Sequence, residues 1–390
     1  MPETVPLFSS LSDIYSNNLL KHGARFQSLT EAFIDAYGFK PSFIARAPGC
    51  VNIIGEHIDY CGFPVFPMAI VPDFLIAVRV TDESLVRLVN INPKYEPSSF
   101  SCAPHTSVTI NRTQHEWANY FKCGYKGVID AIGCAKPNGM QCMIDGSVPA
   151  SSGLSGSSAL VCSAVLATMK ANGRVLSQRE IVEIAVASER LIGINGGGMD
   201  QTTSIMSQPQ SAMFIEFDPL LRISPVKFPS TTPPIAFVIA NTLVVSDKAV
   251  TASVCYNLRV VETRIGALIL AKNLGIGDRP ACRDVDPLTF KTVMDEFFSV
   301  KDRGDGNSDN DNSEAEGVET WIKRLNTMLK EVQRAFGTRP EGYTRGEMAA
   351  ALDMTPAELS TAVHEDQFPV RAERFKLLQR AQHAFSEALR

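Results

Sequence analysis

The 390-residue chain lacks the features that mark nucleic-acid-binding, membrane and secreted proteins. No cluster of lysine and arginine stands out and the net charge is −5, so a broad basic surface for a polyanion is not expected. The longest apolar stretches, 63–78 and 159–169, are interrupted or too short to span a bilayer. The first six residues resemble no signal peptide, and the nine cysteines form no CxxC pair. We therefore expect a cytoplasmic globular protein with reduced thiols, bound to neither nucleic acid nor a membrane.

Strand-like and helical patterns of apolar residues alternate along most of the chain. They predict strands at 43–46, 74–80, 85–91, 141–145, 212–217 and 235–241. They predict helices at 27–37, 116–132, 159–170, 177–191, 250–274 and 318–336, two short helices within 345–364, and a last helix at 374–389. Ser177 and Glu180 predict a capping box. Residues 303–317 are nearly devoid of apolar side chains, which indicates a disordered loop or insertion.

A loop of glycine and serine at 153–158 precedes an apolar helix and is typical of a phosphate-binding site. Glycine lets the backbone approach an anion, and the unpaired N–H groups of the first helical turn point towards it. The hydroxyls of Ser155, Ser157 and Ser158 can add hydrogen bonds or a magnesium ligand. No lysine of the P-loop type follows, so the nucleotide site would be of another kind. The alternative is that these small residues only cap a buried helix.

Three polar side chains, Glu56, His57 and Asp59, share one short loop behind Gly55. Groups that donate to and accept from hydroxyls suit a sugar or another polyol better than an apolar ligand. His57 taken alone could equally be a buried or capping histidine. A metal site ranks lower, because the loop lacks a thiolate and the pair of histidines four residues apart.

Two further carboxylates, Glu189 and Asp200, lie eleven positions apart. Three consecutive glycines precede Met199 and Asp200, which indicates a tight backbone turn or close approach to a ligand. A phosphotransferase needs one carboxylate on magnesium and another near the attacking hydroxyl. For Glu189 alone, a surface salt bridge is the alternative reading.

Taken in order, the motifs at 48–60, 153–159 and 196–201 resemble those of the GHMP kinase superfamily and, within it, the galactokinases. Segments 117–120, 237–241, 256–262 and 378–383 extend the resemblance over nearly the whole chain. The resemblance implies an α/β (α+β) fold of two domains, with a mixed-sheet domain at 1–230 and a partial C-terminal domain at 231–390. It also implies magnesium-dependent transfer of the γ-phosphate of ATP to the C1 hydroxyl of galactose.

The resemblance assigns a role to each motif residue. Five residues would bind the sugar: Glu56, His57, Asp59, Gly197 and Tyr256. The loop that would bind the ATP phosphates consists of Gly153, Leu154, Ser155, Gly156, Ser157 and Ser158. Asp200 corresponds to the catalytic aspartate that orients the attacking hydroxyl or takes its proton, and Ser157 and Glu189 correspond to magnesium ligands.

Two departures from the family pattern bear on activity. Cys50 stands where relatives carry an arginine that is thought to lie beside the catalytic aspartate, and a neutral thiol is a poor substitute for a guanidinium. We expect weak catalysis with sugar binding retained. The family's third, glycine-rich motif is also missing, since the chain stops at Arg390 within a helix that relatives continue. From this we expect a truncated C-terminal domain with an exposed apolar surface and a tendency to aggregate.

Two alternative functions share the same motifs. One is phosphorylation of N-acetylgalactosamine, which differs in the space required around the sugar C2 substituent. The other is a non-catalytic sensor that binds ATP and galactose and then a regulatory protein partner. Cys50 and the expected truncation favour the sensor, whereas the presence of Asp200, Ser157 and Glu189 favours the enzyme.

Overall fold

The computed structural model describes residues 4–112, 116–218, 220–233, 235–240, 251–304 and 317–390. The chain divides into two compact units. The first unit comprises Met1–Val51, Pro67–Met213 and Pro225–Ala249, and the second comprises Asn52–Phe66, Phe214–Ser224 and Val250–Arg390. The sequence-based domain boundary at residue 230 stays a prediction. No helix in the described ranges is both long enough and apolar enough to cross a bilayer.

A five-stranded mixed sheet in the order β1-β2-β5-β3-β4 is built from residues 43–146. Its strands are β1 Phe43–Ile54, β2 Phe66–Thr81, β3 Leu85–Asn90, β4 Ser98–Ser101 and β5 Gly139–Gly146. β2 and β5 pair antiparallel with Phe74 opposite Gly146. β3 pairs parallel with β5 and antiparallel with β4. A second sheet pairs β6 Ser211–Glu216 with β7 Arg222–Lys227.

Helices cover both faces of the five-stranded sheet. They are α1 Leu19–Tyr37, α2 Ala118–Ile132, α3 Gly156–Ala171, α4 Gln178–Glu189 and α5 Met199–Met206. On β2, Leu75 and Ala77 pack in one apolar cluster with residues of α1. Ile76 and Val78 pack in another with residues of α2, α3 and α4. This alternation follows from the two-residue period of a strand, and it buries both faces of β2.

Most of the remaining helices belong to the second unit. They are α6 Tyr256–Asn273, α7 Pro280–Arg283, α8 Phe290–Gly304, α9 Val318–Phe336, α10 Arg345–Ala351, α11 Pro356–Ala362 and α12 Leu377–Ala388. α9 buries Leu325, Met328, Val332 and Phe336, whose spacing of three or four residues places them on one helical face. The rings of Phe290 and Phe385 pack with their centroids 5.5 Å apart. Helix packing therefore provides the core of this unit.

The structure confirms most of the predicted elements and corrects several. The capping box of Ser177 and Glu180 is present at the start of α4. Residues 235–240 form no strand, and several of their apolar side chains are exposed, because no described strand pairs with them. The helix predicted to start at 250 begins at Tyr256, and α8 reaches Gly304 within the predicted loop. Residues 241–250 and 305–316 lie outside the described ranges. The second range includes most of the loop predicted at 303–317.

Helices α2 and α3 approach so closely that α2 has no room for a side chain at Gly124. A Cβ added there would lie 2.7 Å from the Val161 carbonyl oxygen and 2.8 Å from the Ala164 Cβ. The α3 helix that follows the phosphate loop therefore depends on this glycine. We predict that Gly124→Ala lowers the free energy of unfolding by about 1–3 kcal/mol through overpacking, as measured by urea denaturation.

Gly23 provides the matched control within α1. Its nearest neighbour across the space for a Cβ is Leu11 Cδ1 at 4.0 Å, an ordinary contact. Gly23→Ala should be neutral or should stabilise the protein by up to about 1 kcal/mol, because alanine is the better helix former. Equal effects of the two substitutions would contradict the close approach of α2 and α3.

Candidate active site

A cavity of about 860 Å³ lies within the first unit, at the start of α3. Four residues of the predicted phosphate loop line it: Gly153, Ser155, Gly156 and Ser157. Aromatic side chains line another part of its wall: Phe74, Tyr95, Trp117 and Tyr120. The cavity thus combines aromatic surface with a loop of small residues at a helix N-terminus, where unpaired N–H groups favour an anion.

The phosphate loop has a backbone shape that suits small residues. Gly153 has φ +73° and Ser155 has φ +59°, both in the left-handed region. The Leu154 carbonyl accepts a hydrogen bond of 3.3 Å from the Cys50 N–H. Leu154 and Ser158 are not among the residues that line the cavity. Their contacts hold the loop in place instead.

Glu189, the last residue of α4, is the centre of a buried hydrogen-bond network. It is 5% exposed, and its Oε2 accepts bonds from Ser158 Oγ at 2.7 Å and from Gln201 Nε2. The first turns of α3 and α5 are thereby joined through one carboxylate. A surface salt bridge, the alternative from the sequence, does not describe this buried residue.

Asp200 lies in the first turn of α5, directly after the glycines. The sequence pattern did not predict this helix, because the glycines that precede it and its two threonines are weak helix formers. Gly198 caps the helix at φ +114°, a conformation that favours glycine, and Gly197 precedes it. Ser204 of α5 donates a hydrogen bond of 2.7 Å to the Pro48 carbonyl of β1. These contacts fix where Asp200 stands relative to β1.

Cys50 lies between the phosphate loop and Asp200. Its side chain is buried, with Sγ 2.9 Å from Ser155 Oγ, and it donates to Asp200 Oδ1 at 3.5 Å. Burial raises the pKa of the nearby Cys162 thiol, and the charges of Glu189 and Asp200 both contribute. Both carboxylates therefore lie near one buried thiol of α3.

The polar loop at 56–60 belongs to the second unit, where aromatic rings surround His57. His57 Nδ1 is 2.7 Å from the Tyr60 hydroxyl, and His57 Nε2 is 3.6 Å from Glu56 Oε1. The His57 and Tyr256 ring centroids are 5.4 Å apart. Burial raises the pKa of Tyr60 well above its ordinary value, so this hydroxyl stays protonated. The structure thus brings Glu56, His57 and Tyr256 together, with Asp59 buried at the base of the loop.

Sequence reasoning missed the residues that support this loop. Gly55 has φ +116°, and a Cβ there would lie 2.8 Å from Val65, so the turn requires glycine. The Gly55 N–H donates to Glu387 Oε1 at 3.0 Å, and His383 Nε2 is 2.7 Å from the Glu56 carbonyl oxygen. Glu387 and His383 lie on α12, more than 300 positions from the loop. No local sequence pattern could reveal such contacts.

Comparison with known protein families first defines the class. The model of the GHMP kinase N-terminal domain matches residues 119–208, which include the phosphate loop, Glu189 and Asp200. The galactokinase galactose-binding signature matches residues 31–80, which include Cys50 and the loop at 56–60. The chain is thus a kinase of the GHMP class.

Individual relatives define the family more narrowly. The chain is 38% identical over 384 residues to the galactokinase of Saccharomyces cerevisiae. The matched region covers 93% of this chain and 71% of the relative. It is 35% identical over 404 residues to the galactokinase of Schizosaccharomyces pombe, covering 99% of this chain and 75% of the relative. The chain belongs to the galactokinase family. Its fold is similar to that of Lactococcus lactis galactokinase complexed with galactose, with a TM-score of 0.52, 20% identity and 80% coverage of each chain.

The Glu189 network can be tested by a substitution that preserves its shape. We predict that Glu189→Gln lowers the free energy of unfolding by about 1–3 kcal/mol, because the amide oxygen that would replace Oε2 is neutral and accepts both hydrogen bonds without the charge assistance of a carboxylate. Urea denaturation measures the change. Glu183→Gln, at an exposed position on the same helix, is the control and should change stability by less than about 0.5 kcal/mol. A Glu189→Gln protein as stable as the control would contradict the network.

Proposed function

We propose that the chain transfers the γ-phosphate of ATP to the C1 hydroxyl of galactose, yielding galactose 1-phosphate and ADP. As a member of the galactokinase family it is a sugar kinase. The observation that carries the proposed mechanism is that Cys50 contacts both Ser155 of the phosphate loop and Asp200. An anion site and a carboxylate base thus lie on either side of one side chain, as phosphoryl transfer to a hydroxyl requires.

ATP is proposed to occupy the cavity of the first unit. Its triphosphate would approach the start of α3, where Gly153, Ser155, Gly156 and Ser157 line the wall and backbone N–H groups are available to phosphate oxygens. The aromatic wall suits the flat face of a nucleobase. Leu154 and Ser158 would act by holding the loop in shape.

Galactose is proposed to bind through Glu56, His57, Asp59, Gly197 and Tyr256. The carboxylates accept hydrogen bonds from sugar hydroxyls, and the His57 ring can donate or accept. When Tyr60 donates to His57 Nδ1, the proton of the neutral ring is on Nε2, beside Glu56. Tyr60 would then set the tautomer that the sugar meets.

Asp200 is proposed to accept the proton of the C1 hydroxyl as its oxygen attacks the γ-phosphorus. The new oxygen–phosphorus bond forms while the bond between the γ-phosphorus and the β–γ bridging oxygen breaks, and ADP departs. The α3 N-terminus stabilises negative charge on the transferred group. The Cys50 thiol is a weak hydrogen-bond donor and contributes less than a guanidinium would.

Magnesium would supply charge compensation for the ATP phosphates. The donors near the loop fit it in chemical type, because Ser157 and Glu189 offer the oxygen ligands that a hard cation prefers. Within the described ranges no group of three or more histidine, cysteine, aspartate or glutamate side chains could hold a metal ion. Magnesium commonly binds through one or two carboxylates and leaves other positions to phosphates and water. We therefore propose that Ser157 and Glu189 hold it together with ATP.

The two alternatives raised by the sequence are less well supported. N-acetylgalactosamine phosphorylation and a non-catalytic sensor both share these motifs. The curated relatives described above are galactokinases, so neither alternative is favoured.

We predict that Asp200→Ala greatly slows the ADP release that depends on galactose. A coupled assay with ATP, magnesium and galactose measures this release, and loss of the base should lower kcat on the order of 10²–10⁴-fold. Asp130→Ala removes an exposed carboxylate of α2 and should leave kcat unchanged. If the Asp200→Ala protein remained folded and turned over at the unsubstituted rate, Asp200 would not be the base.

Replacing the thiol by the guanidinium that the family carries should increase the rate. We predict that Cys50→Arg raises kcat, by up to on the order of 10²-fold, because a cation beside Asp200 stabilises the transferred phosphate. Cys50→Ser keeps a small neutral donor and should give no comparable gain. A folded Cys50→Arg protein with no gain in kcat would show that this position does not limit the chemistry.

A further inference from the structure

Two carboxylates and two guanidinium groups meet where β2 and β5 approach the cavity. Asp73 of β2 is fully buried, and its side chain accepts hydrogen bonds from Tyr15 at 2.6 Å, from Arg46 Nε at 2.5 Å and from Arg25. Burial and the Asp73 carboxylate raise the pKa of Tyr15 to about 12, so its hydroxyl remains a donor. The buried Asp73 charge is therefore fully compensated.

Arg25 of α1 joins this group to β5. Its Nε donates to Asp145 Oδ2 at 2.6 Å, and its Nη2 donates to the carbonyl oxygens of Asp145 at 3.2 Å and Asp73 at 3.3 Å. One planar guanidinium thus binds two side chains and two main-chain carbonyls, those of Asp73 in the middle of β2 and those of Asp145 near the end of β5. Such a fork of donors fixes position as well as charge.

The end of β5 forms part of the cavity wall. Asp145, Gly146 and Ser147 line the cavity, and the chain then continues into the phosphate loop. Ser147 N–H donates to the Asp73 carbonyl at 2.9 Å, and the Asp73 N–H donates to Ser147 Oγ at 2.9 Å. A Cβ at Gly146 would lie 2.4 Å from the Phe74 ring, so the wall is closely packed.

Arg25 itself is not among the residues that line the cavity, whereas Asp145 is. The Asp145 side chain is 16% exposed, and without Arg25 it would present an uncompensated negative charge to the phosphates of ATP. We propose that Arg25 is a positioning residue for nucleotide binding: it acts through Asp145, whose charge it neutralises in the cavity wall at the end of β5, just before the phosphate loop. This inference rests on the proposed placement of ATP in the cavity.

The test is to remove the charge of Arg25, of Asp145, and of both. KM for ATP and KM for galactose would be measured for the unsubstituted chain, Arg25→Gln, Asp145→Asn and the double variant. We expect Arg25→Gln to raise KM for ATP about tenfold, with kcat and KM for galactose changed less than about twofold. Adding Asp145→Asn removes the unpaired charge and should return KM for ATP to within about threefold of the unsubstituted value. A purely structural role of Arg25 would not be rescued in this way.

Arg79→Gln is the matched control, because Arg79 lies further along β2, contacts Phe39 and Gln141, and does not line the cavity. It should leave KM for ATP unchanged. An unchanged KM for ATP in Arg25→Gln, or no rescue by Asp145→Asn, would overturn the proposal. If Arg25→Gln fails to fold, the Asp145→Asn variant alone decides the question. It is expected to have a lower KM for ATP, because a negative charge is removed from the cavity wall. An unchanged or higher KM for ATP would overturn the proposal.

Calorimetric titration with ATP separates this inference from the proposed function. If the unsubstituted chain shows no galactose-dependent turnover, the proposed reaction fails, but ATP affinity still reports on Arg25. We then expect Arg25→Gln to bind ATP about tenfold more weakly and the double variant to recover. Equal affinities for all variants would overturn the role of Arg25.

Discussion

The buried carboxylate of Glu189 holds together segments on which the candidate active site depends. It accepts hydrogen bonds from Ser158, at the start of the helix that follows the phosphate loop, and from Gln201, next to Asp200. A buried carboxylate is costly unless its oxygens are paired, so the arrangement of α3, α4 and α5 is tightly specified. The relative placement of the anion site and Asp200 follows from this one interaction.

Local backbone conformation adds a second constraint to the same region. Gly153, Ser155 and Gly198 all have positive φ, a backbone conformation that residues with a Cβ rarely adopt. Ser155 is the exception to glycine among them, and its hydroxyl lies 2.9 Å from Cys50. Strained residues persist where surrounding contacts hold them, and they are common at binding sites. The region therefore combines a fixed network with a backbone shaped for close approach to an anion.

Sequence patterns predicted what is local in this molecule. The apolar strand formers of β2 and β5, the helical period of α9 and the capping box of α4 each depend on residues within a few positions. The glycine and serine loop likewise marks the start of α3. The role expected of Asp200 came from the family resemblance, whereas its location in a helix did not follow from the three glycines before it.

Long-range pairing accounts for what the sequence could not reveal. Arg25 contacts residues 48 and 120 positions away, and Glu387 supports the loop at 56–60 from 332 positions away. The apolar run at 235–240 matched a strand pattern, but a strand also needs a hydrogen-bonded neighbour, which periodicity does not report.

Phosphorylation of galactose at C1, despite Cys50, can be observed by phosphorus NMR of a reaction with ATP, magnesium and galactose labelled with ¹³C at C1. We predict one sugar phosphate per ATP consumed, with coupling between phosphorus and the labelled carbon. Release of inorganic phosphate with unmodified galactose, or no consumption of ATP by the folded chain, would contradict a galactokinase reaction in this chain.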